Sequence, residues 1–285
     1  MRFLTDRDTQ DKLTAIGLKN AEAMGIAFAF HDDCRRIRYD WHTHDHHQLL
    51  YAFSGVMSLE TQDRRFILPP HRAAWIPAGR KHRPWLEDAE IVSVFFPPRL
   101  LGDIADQQDL RILAVPPVIR EMLLYSRRWP PGRHRDDPVA DTFFMALGRV
   151  CLDATAVEMP YFLPRPRTPA VGRAMDYAQA HPADADLKAA AVAAAMSERT
   201  LRRHFVAETG MGWQDYLHKS RMLKAMLLLA DPAVSVTHAA EAVGFTNLSA
   251  FAKAFTAFTG ELPSRYRKTS QRDHPNAKDA TAKTP

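Results

Sequence analysis

The chain has 285 residues, of which 46% are hydrophobic and 25% are charged, and its formal net charge is +5. This length allows two domains with cores, and the composition excludes disordered and fibrous classes. Two cysteines, Cys34 and Cys151, exclude a disulfide framework and a zinc-finger spacing. No apolar run reaches the roughly 18 residues of a membrane span, and residues 1–20 carry charges throughout. We therefore expect a cytoplasmic protein without a membrane partner.

The charge is unevenly distributed along the chain. Residues 1–160 contain 21 Lys and Arg against 22 Asp and Glu, a net charge of −1, whereas residues 161–285 contain 17 against 11, a net charge of +6. A near-neutral first half beside a basic second half predicts that only the second half binds a polyanion.

Short β-rich runs fill the region between residues 23 and 98. They lie at 26–30, 49–53, 56–60, 66–68, 74–76 and 91–96. Turn residues rich in Gly, Pro, Ser and Asp separate them. Many short strands at close spacing predict a sandwich or a small barrel.

The same region contains seven of the thirteen histidines, several of them in two spaced blocks. The residues that form these blocks are His42, His44, Gln48 and Gly55, then Pro77, Gly79 and His82. The blocks resemble the two motifs of the cupin superfamily, which implies a double-stranded β-helix or jelly roll. In metal-binding cupins the positions of His42, His44, Gln48 and His82 are metal ligands, with Glu at the position of Gln48.

Gln48 departs from the metal-binding pattern because an amide oxygen is a poorer ligand for a divalent ion than a carboxylate. Residues 42 and 44 of a strand point the same way, so both imidazoles can enter one pocket. We predict that His42, His44, Gln48 and His82 line a pocket for an organic effector, without a resident cofactor. A divalent metal ion held by His42, His44 and His82 is the alternative.

Between residues 102 and 157 the pattern becomes helical. The spacing predicts helices at 109–115, 118–129 and 138–155, the last two with apolar stripes. These stripes cover the barrel or form the seam of a homodimer, and the sequence leaves both open. Three prolines in 161–169 disfavour a helix and predict a semi-rigid linker, so we place the first domain at 1–160.

After a predicted helix at 170–180, two similar helix pairs follow. In the first pair, a small-residue helix at 187–195 precedes the segment 197–205. Ser197 can cap the second helix, and Leu201 and Phe205 share one face. The side chains of the opposite face, spaced i, i+3 and i+4, are Arg199, Arg202 and Arg203.

In the second pair, a helix at 236–243 and a Gly244-Phe245 turn precede the segment 247–255, which Asn247 can cap. Ser249 and Lys253 share the face opposite a phenylalanine stripe. Either segment alone could be an ordinary amphipathic helix, but the repetition favours two helix-turn-helix units. A helix predicted at 213–230, about 27 Å long, would hold them apart.

This region resembles the DNA-binding domain of the AraC/XylS family of bacterial transcription regulators. The residues that carry the resemblance are Leu201, Phe205, Gly210, Tyr216, Arg221, Ala225, Leu228, Ala240, Val243, Gly244, Phe245, Ser249, Phe251, Phe255, Gly260, Pro263, Tyr266 and Arg267. The resemblance implies base-reading positions at Arg199, Arg202 and Arg203, and at Leu248, Ser249 and Lys253. Ala250, Lys253 and Thr256 depart from the family pattern, so the second unit should hold phosphate less well. We place this domain at 170–268 and a disordered tail at 269–285.

The predicted fold is a two-domain α+β protein. A cupin-like β-barrel (jelly roll) with following helices precedes an all-α domain of two helix-turn-helix units joined by a long linker helix. The predicted function is a transcription regulator, not an enzyme, that binds double-stranded DNA in response to a small-molecule effector; RNA polymerase would be a partner if it activates. One alternative is a metal-dependent cupin enzyme fused to a DNA-binding module, against which Gln48 argues. The other is a constitutive DNA binder with a structural barrel.

Overall fold

The computed structural model describes residues 2–3, 8, 11–13, 25–69, 71–102, 109–154 and 161–271. The chain divides into two compact units. The first comprises residues 1–62 and 66–161, and the second comprises residues 63–65 and 162–285. None of the described helices has the length and apolar character needed to cross a membrane.

The first unit is built on an extensively hydrogen-bonded sheet. The strands of the chain are β1 (Arg2–Phe3), β2 (Phe28–Arg38), β3 (His47–Ala52), β4 (Val56–Glu60), β5 (Arg64–Leu68), β6 (Arg72–Ile76), β7 (Arg83–Phe96), β8 (Arg111–Ala114) and β9 (Phe162–Pro164). The main path runs β8-β6-β3-β7-β4-β5, and β2 pairs with both β1 and β7. The long strand β7 is central, since β2 lies along one edge while β3 and β4 share the other.

The register of β3 and β7 separates a helix-facing side of the sheet from a pocket-facing side. Gln48 lies opposite Phe95, and Leu50 lies opposite Ser93, in an antiparallel pairing. Because side chains alternate along a strand, these four residues share one face. The alternate residues of the same strands belong to the apolar core: Leu49, Tyr51, Val92, Val94 and Phe96.

The helices of the first unit are α1 (Pro98–Leu101), α2 (Pro117–Tyr125) and α3 (Pro138–Ala154), and a 3-10 turn (Ser126–Arg128) follows α2. Ile119 and Leu123 of α2 and Phe144 and Leu147 of α3 are buried in the same core as the alternate residues of β3 and β7. The two helices therefore cover that face of the sheet. The boundaries of the predicted helices at 118–129 and 138–155 differ from those of α2 and α3 by only a few residues.

The prediction of a helix at 109–115 is wrong, because this segment contains strand β8. Its residues pair with β6, with Ala114 opposite Arg72 and Arg111 opposite Trp75. A run this short has no periodicity that distinguishes a strand from a helix. The backbone hydrogen bonds available along β6 outweigh the helix propensity of Leu and Ala here.

The second unit is helical apart from residues 63–65 and β9. Its helices are α4 (Pro169–Ala180), α5 (Leu187–Ala194), α6 (Glu198–Thr209), α7 (Trp213–Ala230), α8 (Val236–Ala242), α9 (Leu248–Thr259) and α10 (Pro263–Gln271). The prediction of a β-rich first domain and a helical second domain is confirmed. Two local predictions differ: β9 lies inside the predicted linker, and α10 continues to Gln271, into the predicted tail. Residues 272–285 of that tail lie outside the described part of the chain.

Candidate nucleic-acid interface and ligand pocket

The first helix pair, α5 and α6, meets at a short turn. Ala195 ends α5 in the left-handed conformation with φ 55°. Ser197 then caps α6, since its Oγ accepts a hydrogen bond from the N–H of Thr200 at 3.2 Å. Leu201 and Phe205 are fully buried and fix the inner face of α6. The geometry is that of a helix-turn-helix with α6 as the outward helix.

The predicted arginine face of α6 is exposed. Arg199, Arg202 and Arg203 all lie on the solvent side, and none forms a hydrogen bond or an ion pair with the described residues. A guanidinium without an internal partner can donate two parallel hydrogen bonds to a phosphate or to guanine. The structure thus places all three side chains where a DNA surface could contact them.

The second pair, α8 and α9, repeats this arrangement. The Oδ1 atom of Asn247 accepts a hydrogen bond from the N–H of Ala250 at 3.0 Å, while Phe251 and Phe255 are fully buried. Ser249 and Lys253 are exposed on the outward face of α9. This face has one cation where the outward face of α6 has three, so its electrostatic attraction to phosphate is weaker.

The two helix-turn-helix units are related by an offset of fifty residues, and their similarity extends beyond the outward helices. Phe205 contacts Tyr216 edge to face with ring centroids 5.2 Å apart, and Phe255 contacts Tyr266 in the same way at 5.4 Å. Each outward helix ends at a left-handed glycine, Gly210 with φ 71° or Gly260 with φ 82°. The repeat supports the interpretation of two equivalent DNA-binding units.

Two arginines hold the loops that precede the two helix-turn-helix units. The Nε and Nη2 groups of Arg221 donate to the carbonyls of Pro182 and Ala183 at 2.6 and 3.0 Å. Arg267 donates in the same way to Val234 and Pro232 at 2.7 and 2.9 Å. The sequence identified both arginines only as positions of a family pattern, because side chain to carbonyl bonds across some 35 residues have no local signal.

Glu208, near the end of α6, was not singled out by the sequence. Its carboxylate accepts hydrogen bonds from the N–H groups of Arg167 and Thr168, both at 2.9 Å, and from the hydroxyl of Thr168 at 2.7 Å. Partial burial opposes ionisation, but these hydrogen bonds outweigh it and lower the pKa of Glu208. The segment before α4 is thereby attached to the outward helix.

The first unit contains a small pocket, partly open to solvent, on the side of β3 and β7 opposite α2 and α3. Three of the four predicted pocket residues line it: His42, His44 and Gln48. Tyr39 and Ser93 also line it, and no sequence pattern identifies either as a pocket residue. Ser93 belongs to no sequence motif, and only the pairing of β7 with β3 brings it close to Gln48.

The polar side chains of the pocket form a connected chain. His44 Nδ1 lies 2.7 Å from the carbonyl of His46, to which it donates, and His44 Nε2 lies 3.0 Å from Gln48 Oε1. The amide of Gln48 in turn donates to Ser93 Oγ at 3.0 Å. Burial lowers the pKa of His44, although its hydrogen bonds to the oxygens of Gln48 and His46, which favour the protonated form, oppose this.

His82, the fourth predicted residue, lies behind the pocket wall. Its side chain is fully buried, and its backbone forms two 3.0 Å hydrogen bonds with that of His42. The centroid of its ring is 4.4 Å from that of His42. Burial and the neighbouring His42 and His44 hold the pKa of His82 well below its ordinary value. His82 therefore supports His42 rather than lining the pocket.

Among the described residues, the three histidines are not arranged as a metal site. Within the described ranges, no group of three His, Cys, Asp or Glu side chains is arranged to hold a metal. The fourth position of the cupin pattern is the neutral amide of Gln48, whose oxygen is directed to His44 Nε2.

Comparison with known proteins matches each half to a family model. Residues 25–149 match the AraC-like ligand binding domain, and residues 190–269 match a helix-turn-helix domain. The chain is similar to the HTH-type transcriptional regulator NimR of Escherichia coli (strain K12), at 25% identity over 85% of this chain and 86% of NimR. The chain belongs to the AraC/XylS family of transcription regulators. The resemblance noted in the sequence is confirmed.

Other relatives of this AraC/XylS protein match its second half. The HTH-type transcriptional activator RhaR of Salmonella heidelberg (strain SL476) is 38% identical over 26% of each chain. Among solved structures, the DNA-binding domain of AdpA in complex with a target DNA matches at 28% identity, over 39% of this chain and all of that domain, with a TM-score of 0.35. The AraC-type helix-turn-helix domain binds DNA, and the relatives are transcription regulators rather than enzymes.

Proposed function

We propose that this regulator changes its binding to specific DNA sites when a small-molecule effector occupies the pocket of its first unit. The observation that carries the proposal is the alternation along β3 and β7. Gln48 and Ser93 face the pocket, while their neighbours Leu49 and Val94 pack in the core beneath α2 and α3. A ligand that shifts these strands also shifts the surface on which the two helices rest.

The α6 and α9 helices are the proposed recognition helices. We propose that Arg199, Arg202 and Arg203 supply most of the phosphate and base contacts of the first helix-turn-helix. Ser249 and Lys253 would make the corresponding contacts of the second helix-turn-helix. Their affinity for DNA would be lower, because Lys cannot form the bidentate guanine contact as well as Arg. Sequence specificity would then depend mainly on α6.

The domain arrangement follows from these assignments. We propose an effector domain at 1–160, a linker at 161–169 and a DNA-binding domain at 170–268, in a cytoplasmic protein. Exposed apolar residues on α2 and α3, among them Val118, Tyr125 and Val139, support a homodimer through these helices. RNA polymerase would be a further partner if the regulator activates transcription.

An effector can act only if it binds two states of the protein with different affinity. In this proposal the states differ in the pairing of the first domain or in its docking on the second. A fragment that contains only the DNA-binding domain should therefore bind DNA without any response to effectors.

Gel-shift titrations test the proposal with DNA selected from a random library by the full chain. We expect the fragment 165–285 to prefer this DNA over a scrambled duplex, more weakly than the full chain does. Its affinity should fall linearly with the logarithm of the salt concentration, because binding releases counterions from phosphate. A folded fragment without DNA preference would contradict the proposal, as would a full chain whose DNA affinity no pocket ligand changes.

A further inference from the structure

We propose that the pocket takes an uncharged, largely apolar small molecule that carries a single hydrogen-bonding group. This inference rests on the proposed function, since it names the class of ligand for the same pocket. It is carried by the chemistry of the pocket wall, which is mostly apolar. Its polar side chains are Tyr39, His42, His44, Gln48 and Ser93, and hydrogen bonds join the last three.

The larger part of the wall is apolar. Side chains from three strands contribute to it, and they include Phe30, Leu50, Leu86, Ile91 and Phe95. No described residue that lines the pocket is Asp, Glu, Lys or Arg. Such a surface binds hydrocarbon or aromatic groups through the area that is removed from water.

The polar cluster consists of His44, Gln48 and Ser93, already joined to one another by hydrogen bonds of 3.0 Å. Each of these side chains is less than one-tenth exposed. The amide and the hydroxyl can each both donate and accept, so together they can bind one hydroxyl, amide or similar group of a ligand. A ligand with several polar groups would leave the others against the apolar wall, at a desolvation cost.

A charged ligand has no partner in this wall. A carboxylate would require protonated His44, whose charged form burial disfavours beside His42 and His82. The ammonium of Lys12, which lies 5.4 Å from the ring centre of Tyr39, pairs with Asp32 at 3.0 Å. An ionised group would therefore lose its hydration without gaining an opposite charge.

Matched probes test the ligand class on the full chain. We would measure binding of 2-naphthol, naphthalene and 2-naphthoate by calorimetry, and the melting temperature with each. We expect 2-naphthol to bind and to raise the melting temperature. We expect 2-naphthoate to bind at least tenfold more weakly. Failure of 2-naphthol to bind, or equal or tighter binding of the carboxylate, would overturn the proposal.

Three variants locate the binding. Ser93→Ala should weaken 2-naphthol binding about fivefold and leave naphthalene unchanged, because only the former uses the polar cluster. Ile91→Trp should fill the pocket and abolish binding of both, with circular dichroism to verify folding. Ser264→Ala, at an exposed serine of the second unit, is the matched control and should change neither. Unaltered 2-naphthol binding in both pocket variants would place the probe elsewhere and overturn the proposal.

Gel shifts with the same samples separate this inference from the proposed function. Preferential binding of the uncharged probe in the pocket, with DNA affinity unchanged by the probe and by Ile91→Trp, would contradict the proposed function and support the ligand class. Equal binding of 2-naphthoate would contradict the ligand class whatever the DNA affinity does.

Discussion

Glu208 of α6 holds Thr168, the residue that caps α4, through two hydrogen bonds at once. The carboxylate accepts from the backbone N–H at 2.9 Å and from the hydroxyl at 2.7 Å. Thr168 Oγ1 also accepts from the N–H of Val171, at 3.4 Å. The end of the segment that precedes the DNA-binding helices is thus fixed to the helix that carries the arginine face.

Glu208→Ala should destabilise the second unit by about 1–2 kcal/mol. The substitution removes the anionic acceptor of the hydrogen bonds that Arg167 and Thr168 donate. It should also weaken DNA binding. Urea denaturation and gel shifts of the full chain measure both effects, with Glu241→Ala, at an exposed glutamate, as the control.

The effect should depend on pH in a defined direction. Since the folded pKa of Glu208 lies below its ordinary value, its stabilisation is fully present above that ordinary value and is lost as the pH falls through the lowered pKa. The stability difference between wild type and Glu208→Ala should therefore shrink toward zero in acid. A difference that stays constant down to pH 3 would show that the carboxylate charge is irrelevant.

Arg202→Ala and Arg203→Ala test the recognition face. If the side chain reads a base, operator binding should weaken by roughly 1–3 kcal/mol while binding to random DNA changes less. An equal loss on both DNAs would assign the residue to phosphate. Arg149→Ala makes the same charge change at an exposed position on α3 and should leave both affinities unchanged. Retention of full affinity by both recognition variants would contradict the assignment of α6.

Gly244 and Gly260 form a matched pair for a stability measurement. Both have positive φ, at 85° and 82°, but a Cβ at Gly244 would lie 2.5 Å from the carbonyl oxygen of Ala183, whereas nothing lies within 4 Å at Gly260. Arg221 holds that carbonyl, so it cannot readily move. Gly260→Ala should cost about 1 kcal/mol from backbone strain alone, and Gly244→Ala at least about 1–3 kcal/mol more from the clash. Equal melting temperatures for the two variants would contradict this difference.

His31 should make the first unit sensitive to acid. Its Nδ1 accepts from Arg127 Nε at 3.2 Å, and burial together with that cation lowers the pKa of His31 to about 4. Between pH 6.5 and 4 the unfolded chain binds a proton that the folded chain does not, so folding becomes less favourable as the pH falls. Because the side chain is partly exposed, we expect His31→Gln to reduce this loss by only about 1 kcal/mol. The measurement is urea denaturation at pH 7 and pH 4.5, with His238→Gln at an exposed site as the control.

The sequence predicts the helical half of the protein closely because its signals are local. Ser197 and Asn247 act as helix caps where they were expected, and the predicted helix at 213–230 coincides with α7. Cap residues and a periodic apolar face act within a few residues of each other, so they can be recognised without knowledge of the fold.

The features that the sequence missed depend on contacts between distant residues. Ser93 reaches Gln48 only through the register of β7 with β3, and Glu208 reaches Thr168 across forty residues. The local pattern of Arg111–Ala114 does not reveal a strand because its pairing partner, β6, is also remote in the chain. His82 shows a further limit of prediction from sequence. Its spacing from the other histidines is that of a ligand, but spacing cannot distinguish a residue that lines a pocket from one directly behind it.

The alternation along β3 and β7 has a consequence for how such a sensor evolves. Substitutions at Gln48, Leu50, Ser93 or Phe95 alter what the pocket recognises, whereas the residues between them maintain the fold. Ligand preference can therefore change through substitutions on one face of these strands, although Leu50 and Phe95 are themselves buried, so their replacement also affects stability. A gene duplicate could acquire a new inducer through a few changes on one face of two strands, with its recognition helices and its target promoter left intact.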